Sequence, residues 1–486
     1  MTGLAPALFV LSRVMAGFAL AFAVPLVWGW QTDTPALRAV WAQGALVTAG
    51  GAAVLWAATR RLRRELLPRD GFLLVNLVWL VLPACAAVPL RYGVPGIGWT
   101  TAYFEAMSAL TATGATALSG LDALPLSVNV WRCFLQLLGG LGIMLLVVAV
   151  LPLLGLGGMQ LYKAETPGPM KDAKLTPRIA ETARGLWGVY FVLSGACMVA
   201  YRWAGMSWAD AFMHMCTTVG LGGFSSHDAS FGHWDSPRLE AVAIVFMALS
   251  GVSFARYFIV WRARSLQSLL RDAEVRAYAV TLLGSALLLG GVLVVHQTYV
   301  DEGSAMRAAV FHVVSLATTT GYASANYAQW PVFAPVWLMF LGCFVSCAGS
   351  TGGGIKMVRM LLLIKQARRE LVRIIHPRVV NPVTLGNVAV PAGVTAAVMA
   401  FMLIYGATIV GLTLLMLLSG LDILTAFTAV IACVNNIGPG LGAVGPDANF
   451  GVLSEFQLWV CTVGMLMGRL ELLSVLVLFT APFWRK

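Results

Sequence analysis

Charged side chains are scarce in this sequence. Asp, Glu, Lys and Arg make up 11% of the 486 residues and hydrophobic residues make up 59%, whereas soluble domains carry roughly 25% charged residues. No long polar stretch interrupts the chain, so we expect no attached soluble domain. The first apolar run, at about 8–30, is long enough to cross a bilayer, and we expect it to remain as a span rather than to be cleaved. The composition indicates a membrane protein with many helical spans.

The motifs of metal-dependent and redox enzymes are also missing. The eight Cys lie in or beside apolar runs without a C-x-x-C pair, and the six His form no H-E-x-x-H motif. An enzyme inside the membrane would need a converging nucleophile, base or set of metal ligands, and the sequence shows no such set. We therefore expect no enzyme activity and no bound cofactor.

Positive charge exceeds negative charge, with a net charge of +11. A nucleic-acid partner would need a basic patch on a solvated domain, so we expect none. The basic residues instead stand at alternate ends of apolar runs. This is the positive-inside pattern, which places both termini in the cytoplasm. We expect the protein to lie in the cytoplasmic (inner) membrane, in contact with lipid. The basic residues cluster at 60–64, 163–178, 262–276, 356–378 and 485–486.

The apolar runs predict ten membrane spans, an even number that leaves both termini on one side. The spans lie at about 7–30, 36–58, 71–90, 131–154, 185–204, 238–261, 277–297, 332–372, 391–419 and 453–483.

From residue 71 onward, a second kind of segment alternates with the spans, at about 101–125, 207–228, 304–327 and 422–446. Each is moderately apolar, ends in Gly, Thr, Ser or Asn, and is too short to cross the membrane and return as two helices. Each suits a helix that descends part-way and a non-helical chain that returns. Irregular backbone is tolerated at membrane depth only where protein buries it or water bathes it. Four such segments therefore indicate a shared water-filled axis.

A glycine anchors each of these four repeats. A cation that loses its water needs oxygen ligands, and a ring of backbone carbonyls supplies them without fixed charge. Gly reaches cheaply the backbone angles that turn carbonyls inward, and the absence of a carboxylate at this level favours a large, weakly hydrated ion. We assign the cation filter to Thr111, Ala112, Thr113 and Gly114; Gly220, Leu221, Gly222 and Gly223; Thr318, Thr319, Thr320 and Gly321; and Asn435, Asn436, Ile437 and Gly438.

Nine residues before the filter glycines stand Glu105, His214, His312 and Ala429. Two roles stay open for Glu105. It either pairs with polar groups of other loops or stabilises its own helix.

The span at 332–372 is too long for one crossing. As a continuous helix it would reach roughly 60 Å, about twice the hydrocarbon core. The break falls at Gly349, Ser350, Thr351, Gly352, Gly353 and Gly354, a composition that a helix interior tolerates poorly. A loop at mid-membrane beneath the filter is a natural gate, and a passive kink is the alternative.

Two basic residues belong with this loop. In a phosphate-binding loop, Lys directly follows the last glycine and is itself followed by Ser or Thr. Here Ile355 stands between Gly354 and Lys356, and no Ser or Thr follows the Lys, so the segment does not match that motif. Arg469 lies deep in the last span, where an ionisable group is costly and usually functional. We assign Lys356 and Arg469 to the gate, with a structural salt bridge as the alternative for Arg469.

Several stretches in combination resemble the membrane subunit of bacterial Trk-type potassium uptake systems, in the Trk/Ktr/HKT superfamily. Together they span nearly the whole chain. Small departures from the family pattern are Ala112 in place of a usual Thr, Gly220 in place of a small apolar residue, and Tyr322 in place of Phe. The stretches are FEAMSALTATGAT (104–116), RCFLQLLGGLGI (132–143), GLGGMQLYKAETPGPMKDAKLTPRIAETA (155–183), HMCTTVGLGGFSSHDAS (214–230), FHVVSLATTTGYASANY (311–327), CAGSTGGGIK (347–356), NNIGPGLGAVGP (435–446) and MGRLEL (467–472).

With the repeats, the resemblance predicts an all-α membrane protein. Four fused span–pore-loop–span repeats surround a pseudo-fourfold ion pore, and two extra transmembrane helices precede them. The predicted units are 1–70 for the extra helices, then 71–155, 156–265, 266–375 (with the gating loop at 347–356) and 376–486 for the repeats.

The resemblance also implies what the pore carries and what binds to it. K⁺ and Rb⁺ would occupy the filter residues, and Gly114 favours K⁺ because Ser at this position accompanies Na⁺ transport in plant relatives. Two copies would form a homodimer of separate pores. A cytosolic nucleotide-binding regulatory subunit would dock on the basic inner face, chiefly 156–184 and 262–276.

A secondary transporter that couples K⁺ to H⁺ or Na⁺ is the alternative function. Broken helices fit that class as well, but its repeats are typically inverted, whereas these four share one orientation.

Overall fold

The computed structural model describes residues 4–62, 67–149, 175–386 and 388–485. Its regular structure is helical apart from one small antiparallel hairpin, in which Thr384–Leu385 pairs with Val388–Ala389. Most of the basic segment 156–184 lies outside the described residues, so its predicted role as a docking face stays a prediction.

Two membrane helices precede the repeats. The first consists of Ala5–Ala19, a 3₁₀ turn at Leu20–Phe22 and Ala23–Trp28, and the second is Pro35–Thr59. They pack on each other and on the first repeat. The indole Nε1 of Trp41 donates a 2.9 Å hydrogen bond to Ser127 Oγ, which ties the second helix to the repeat.

Each repeat contains an outer helix, a short pore helix and an inner helix, which confirms the predicted order. The outer helices are Pro68–Gly93, Leu175–Ala204, Ala273–Val295 and Ala392–Leu418. The pore helices are Trp99–Leu110, Trp208–Val219, Glu302–Ala317 and Ile423–Val434. The inner helices are Leu126–Ala149, Pro237–Ser250, Phe333–Gly342 and Glu455–Arg469.

Further helices complete the described chain. They are Phe254–Ala263, Gln267–Leu270, Met357–Ile375, Leu473–Leu476 and Ala481–Trp484, with 3₁₀ turns at Leu121–Ala123, Ser230–His233, Tyr327–Gln329, Gly442–Val444, Phe450–Val452 and Val477–Phe479.

The inner helices close the four repeats into a ring. Each inner helix packs against the pore helix of its own repeat and against the pore helix of the next one, and the last inner helix packs against the first pore helix. The pore helices are consequently enclosed by protein, and most of their residues are buried. This cyclic order confirms the predicted pseudo-fourfold arrangement.

Three inner helices end in a break, of which the sequence predicted one. The helix that begins at Phe333 ends at Gly342 and the next begins at Met357, so the break predicted at 349–354 exists but begins earlier in the chain. The segments 238–261 and 453–483, which we predicted to be continuous, are bent by 85° after Ser250 and by 104° after Arg469. At the first bend, Gly251 O accepts a hydrogen bond from Cys347 N and Phe254 N donates to Gly349 O. The backbone groups freed by that break are thus bonded to the intramembrane loop.

By length and hydropathy, the described helices account for up to nine of the ten predicted spans. Among the described residues, seven helices are long and apolar enough to cross a membrane, and the two bent pairs bring the number to nine. The remaining predicted span begins with the short helix Phe333–Gly342.

The third and fourth inner helices approach the pore helices through glycine, and Gly468 shows the tightest contact. A Cβ on Gly468 would lie 1.9 Å from the carbonyl oxygen of Val434, the last residue of its pore helix. By contrast, a Cβ on Gly406, in an outer helix, would meet nothing within 4 Å.

We therefore expect Gly468→Ala to destabilise the protein by about 1–3 kcal/mol, because the obstacle is backbone that cannot move aside cheaply. Gly406→Ala is the matched control and should be neutral or stabilising, since Ala is favoured over Gly in a helix by about 1 kcal/mol. Thermal unfolding of both variants in detergent measures the difference. Equal melting temperatures for the two variants would contradict this packing.

Candidate ion-conduction site

The four loops after the pore helices share one hydrogen-bond scheme. Each pore helix ends four residues before the filter glycine, and the N–H of the residue just before that glycine turns back to a carbonyl in the last helical turn. The bonds are Thr113 N to Ser108 O, Gly222 N to Thr217 O, Thr320 N to Ser315 O and Ile437 N to Ala432 O, at 2.8–2.9 Å. This repetition shows that the four loops are equivalent despite their different sequences.

The backbone of each loop alternates in handedness. The first loop residue has a negative φ, the second is left-handed, the third is again negative and the glycine is positive. In the first loop, φ is −74° at Thr111, +50° at Ala112 and +83° at Gly114. Alternation of this kind turns successive carbonyls toward the same side of the chain. The left-handed second residues are Ala112, Leu221, Thr319 and Asn436.

The sequence did not predict strain at this second position. A left-handed conformation is uncommon for residues with a Cβ, and of these four only Asn is a residue type that adopts it readily. No signal in the residue types marks the other three positions. The surrounding hydrogen bonds impose the conformation.

The loops touch one another in cyclic order. A Cβ on Gly114 would lie 2.0 Å from Gly222 O, one on Gly223 would lie 1.9 Å from Thr320 O, and one on Gly321 would lie 2.0 Å from Ile437 O. Gly438 closes the ring more loosely, since its Cβ would lie 3.0 Å from Thr113 O. Glycine is needed here for its positive φ and for close approach of the neighbouring loop.

An open cavity lies on one side of this ring. All four filter glycines line it, together with the returning chains that follow them, including Thr116, Phe224, Ala323 and Pro439. The predicted filter residues therefore come together around one axis, and that axis opens to a vestibule.

A side chain of each pore helix holds the returning chain in place. Glu105 accepts hydrogen bonds from Thr116 Oγ1 (2.9 Å) and Ala117 N (3.0 Å). His214 Nε2 lies 3.0 Å from Ser225 Oγ, and His312 Nε2 accepts from Ser324 N at 3.3 Å. In the fourth repeat, where Ala429 has no polar group, the adjacent Thr428 accepts from Leu441 N at 2.9 Å.

The hydrogen bonds of Glu105 lie within its own repeat, so it does not itself pair with another loop. It braces the first loop, and its Oε1 accepts a 2.7 Å hydrogen bond from Arg132 Nε in a fully buried ion pair. Arg132 also reaches toward Ser225 O of the second loop, at 3.4 Å. Through Arg132, the pair therefore connects the first loop to the second.

Arg132 and Gln136 are residues whose importance the sequence analysis missed. Gln136 Nε2 donates to Gly222 O at 2.8 Å, and its Oε1 accepts from Phe224 N at 3.2 Å. Both side chains lie on one face of the first inner helix, one turn apart. Two polar residues four apart in an apolar span are the signal that would have found them, because buried polar groups at membrane depth need partners.

The loop at 349–354 lies directly against the ends of the pore helices and the loops that follow them. Gly353 N donates to Thr319 Oγ1 at 2.8 Å, and Thr351 Oγ1 donates to Val219 O at 3.0 Å. A Cβ on Gly353 would lie 2.0 Å from Asn435 O. The loop thus contacts the second, third and fourth repeats where their pore helices end.

Ala112 lacks the polar side chain that its equivalents in the third and fourth loops use for hydrogen bonds. In the third loop the same position is Thr319, whose hydroxyl accepts the bond from Gly353. In the fourth loop it is Asn436, whose Nδ2 donates to Thr113 Oγ1 at 2.8 Å. Ala112 has no such group, so the first loop forms no side-chain bond to the intramembrane loop at this position.

Arg469 connects the intramembrane loop to the first repeat. Its Nη1 donates to Thr351 O at 2.8 Å and its Nη2 donates to Gly139 O at 3.1 Å, and the side chain is buried. The guanidinium therefore holds one loop carbonyl and one carbonyl of the inner helix Leu126–Ala149.

Lys356 and a nearby ion pair complete the inner end of the site. Lys356 Nζ donates to Gly352 O within the loop. Arg359, in the helix that follows, pairs with Glu471 at the bend after Arg469. The two broken inner segments of the third and fourth repeats are therefore linked by charge as well as by the loop.

Comparison with known proteins identifies the family. The family model TrkH, described as a cation transport protein, matches residues 37–486. The chain belongs to the TrkH family. It is therefore a membrane transport protein and not an enzyme.

Similar proteins cover nearly the whole chain. The Trk system potassium uptake protein TrkH of Salmonella typhimurium is 44% identical over 434 residues, which are 89% of each chain. The Trk system potassium uptake protein TrkI of Halomonas elongata is 36% identical over 99% of this chain and 97% of its own. The crystal structure of the potassium transporter TrkH from Vibrio parahaemolyticus matches with a TM-score of 0.92 and 39% identity, over 99% of each chain. The solved structure thus confirms the TrkH fold for this chain.

Proposed function

We propose that this TrkH-family chain takes up potassium through a filter built from the four loops. The observation that carries the proposal is the closed ring in which Gly114, Gly223, Gly321 and Gly438 each approach a carbonyl of the neighbouring loop. Backbone carbonyls replace the hydration shell of an ion, and no carboxylate stands in the sixteen loop residues. The names of the related potassium uptake proteins support K⁺ as the ion.

Uptake of ⁸⁶Rb⁺ into liposomes that hold the purified protein tests this function. We expect excess K⁺ to compete strongly with Rb⁺, and Na⁺ or Li⁺ to compete weakly, because a carbonyl ring favours a large, weakly hydrated cation. Equal competition by Na⁺ would contradict the proposal. The same assay separates a channel from a coupled symporter, since uptake that also depends on an H⁺ or Na⁺ gradient would favour the symporter.

The geometry of the ring ranks the filter glycines. Gly114→Ser would place a side chain against Gly222 O, so the two loops must separate and the carbonyls must rotate. We expect this variant to lose discrimination between Rb⁺ and Na⁺. Gly438→Ser is the matched control and should lose less, because its Cβ would lie 3.0 Å from the nearest atom instead of 2.0 Å.

Competition of Na⁺ against Rb⁺ uptake in the two variants, both checked for folding, measures this ranking. Gly321→Ser should behave like Gly114→Ser. Unchanged selectivity in a folded Gly114→Ser protein would show that the first loop is not part of the filter.

The intramembrane loop is proposed as the gate. It lies across the inner end of the four filter segments, and its contacts with Thr319 and Val219 hold it there. Arg469, at the end of the fourth inner helix, stabilises the same arrangement by bonding the loop and the first repeat, and its positive charge beneath the filter opposes a passing cation. Lys356 Nζ donates a hydrogen bond to Gly352 O and so stabilises the loop internally.

We therefore expect Arg469→Ala to raise basal Rb⁺ flux without changing selectivity, because the filter lies elsewhere. Arg469→Lys is a useful control, since it keeps the charge but cannot bond two carbonyls in the same way. Deletion of 350–353 should raise the flux as well, and the combined variant should add little. Unchanged or abolished flux in a well-folded Arg469→Ala protein would show that the residue is structural.

The partners of the protein and its membrane location are proposed from its basic residues and its resemblance to the Trk-type systems. The exposed Arg262, Arg264 and Arg271 lie on the segment that follows the second inner helix. We propose that a cytosolic nucleotide-binding subunit docks on these residues and on the basic segment 156–184, most of which lies outside the described residues, in an inner membrane with both termini in the cytoplasm. A homodimer of separate pores is part of the same proposal, and both rest on resemblance to the Trk-type systems.

A further inference from the structure

A cluster of two histidines and one carboxylate lies outside the filter, where the first and second repeats meet. His227 follows Gly223 by four residues, and His233 ends the 3₁₀ turn Ser230–His233. The two imidazole rings are stacked, with centroids 3.6 Å apart and planes inclined by 7°. Asp122 of the first repeat forms a hydrogen bond with His227 Nδ1, and its Oδ1 lies 3.8 Å from His233 Nδ1. Potential ligand atoms of all three residues lie within 4.8 Å of one another.

The two loops that carry these residues lock each other in position. Asp228 N donates to Asp122 Oδ2 at 3.1 Å, and Leu121 N donates to Asp228 Oδ2 at 3.0 Å. The ring of Trp234 packs edge-on against both histidines. The three candidate ligands are thus held by reciprocal hydrogen bonds and by packing.

A second carboxylate stands behind His227. Asp210 Oδ1 lies 3.6 Å from His227 Nε2, and Asp210 is itself held by hydroxyl donors of Ser207 and Ser226. A carboxylate facing the far nitrogen of a histidine is the common support of a metal-binding imidazole, because it orients the ring and selects the tautomer.

We propose that Asp122, His227 and His233 bind a zinc ion at the outer mouth of the pore. Two imidazoles and one carboxylate are a common zinc ligand set, and three protein ligands leave a fourth position open for water. Mg²⁺ and Ca²⁺ prefer oxygen ligands only, so the histidines disfavour them. A metal lies in the plane of each imidazole, so binding requires the His233 ring to tilt away from its stacked position. Its side chain is 43% exposed, which leaves room for that movement.

The position of the cluster connects it to ion entry. His227 and Asp228 line the same cavity as the four filter glycines. Four residues of extended chain span at most ~14 Å, so a zinc ion at His227 lies close above the filter. Its charge opposes a monovalent cation that enters the vestibule. Zinc outside the membrane should therefore slow cation uptake.

Direct binding tests the site without reference to transport. Purified full-length protein in detergent is titrated with Zn²⁺ in competition with a chromophoric chelator. We expect one zinc per chain, and about a tenfold or greater loss of affinity in His233→Ala, since even loss of a supporting group costs 10–100-fold. Asp122→Asn is a second variant that retains the shape of the side chain. His296→Ala, an exposed histidine outside the cluster, is the matched control and should bind zinc as the unmodified chain does.

The effect on flux rests on the proposed function, whereas the binding does not. In the ⁸⁶Rb⁺ assay, with zinc on both sides of the membrane, we expect Zn²⁺ to inhibit uptake and equal Mg²⁺ to have little effect. His233→Ala should keep its uptake and lose its zinc sensitivity.

Absence of stoichiometric zinc binding, or equal affinity in His233→Ala, Asp122→Asn and His296→Ala, would overturn the site and leave only a structural link between two loops. Zinc inhibition that persists in His233→Ala would likewise place the metal elsewhere. Binding without any Rb⁺ uptake would retain the site and contradict the proposed function.

Discussion

The close approach of four loop backbones is the constraint on which the rest of this structure depends. Filter glycines of three repeats would place a Cβ 1.9–2.0 Å from a carbonyl oxygen of the next loop. Such contact excludes side chains and requires left-handed backbone at two positions of every loop. Irregular backbone of this kind survives at membrane depth only if protein satisfies its polar groups. The remaining architecture supplies those partners.

The support is equivalent in the four repeats, but its chemistry differs. The returning chain is held by a carboxylate in the first repeat, by imidazoles in the second and third, and by the Thr428 hydroxyl in the fourth. The first repeat contains a fully buried ion pair, because the buried carboxylate of Glu105 requires Arg132 as a partner. Removing one member of a buried pair leaves an uncompensated charge, which is far more costly than the pair itself. The pseudo-fourfold pore is therefore symmetric in backbone and asymmetric in side chains.

The same requirement explains the broken helices beneath the filter. A helix that stops at mid-membrane leaves its last carbonyls without partners. At the bend after Ser250, the intramembrane loop supplies donors and acceptors to the freed backbone. At the bend after Arg469, the guanidinium bonds to Thr351 O and Gly139 O. Loop and bends stabilise one another, so a movement of the loop must also change the bonds of two inner helices.

The sequence by itself determined the class of protein, the order of the four repeats, the loop glycines that meet in space and the presence of a break in the third inner span, because hydropathy and glycine spacing are local properties that a linear pattern carries. It did not reveal the bends after Ser250 and Arg469, because Leu472 and its neighbours have the pattern of a continuous apolar helix. Only contact with the loop makes the break favourable. The left-handed Leu221, the pair of Glu105 with Arg132, and the meeting of Asp122 with His227 were decided by tertiary structure alone. Each depends on groups from separate parts of the chain, and their distance in space is set only when the ring of repeats closes.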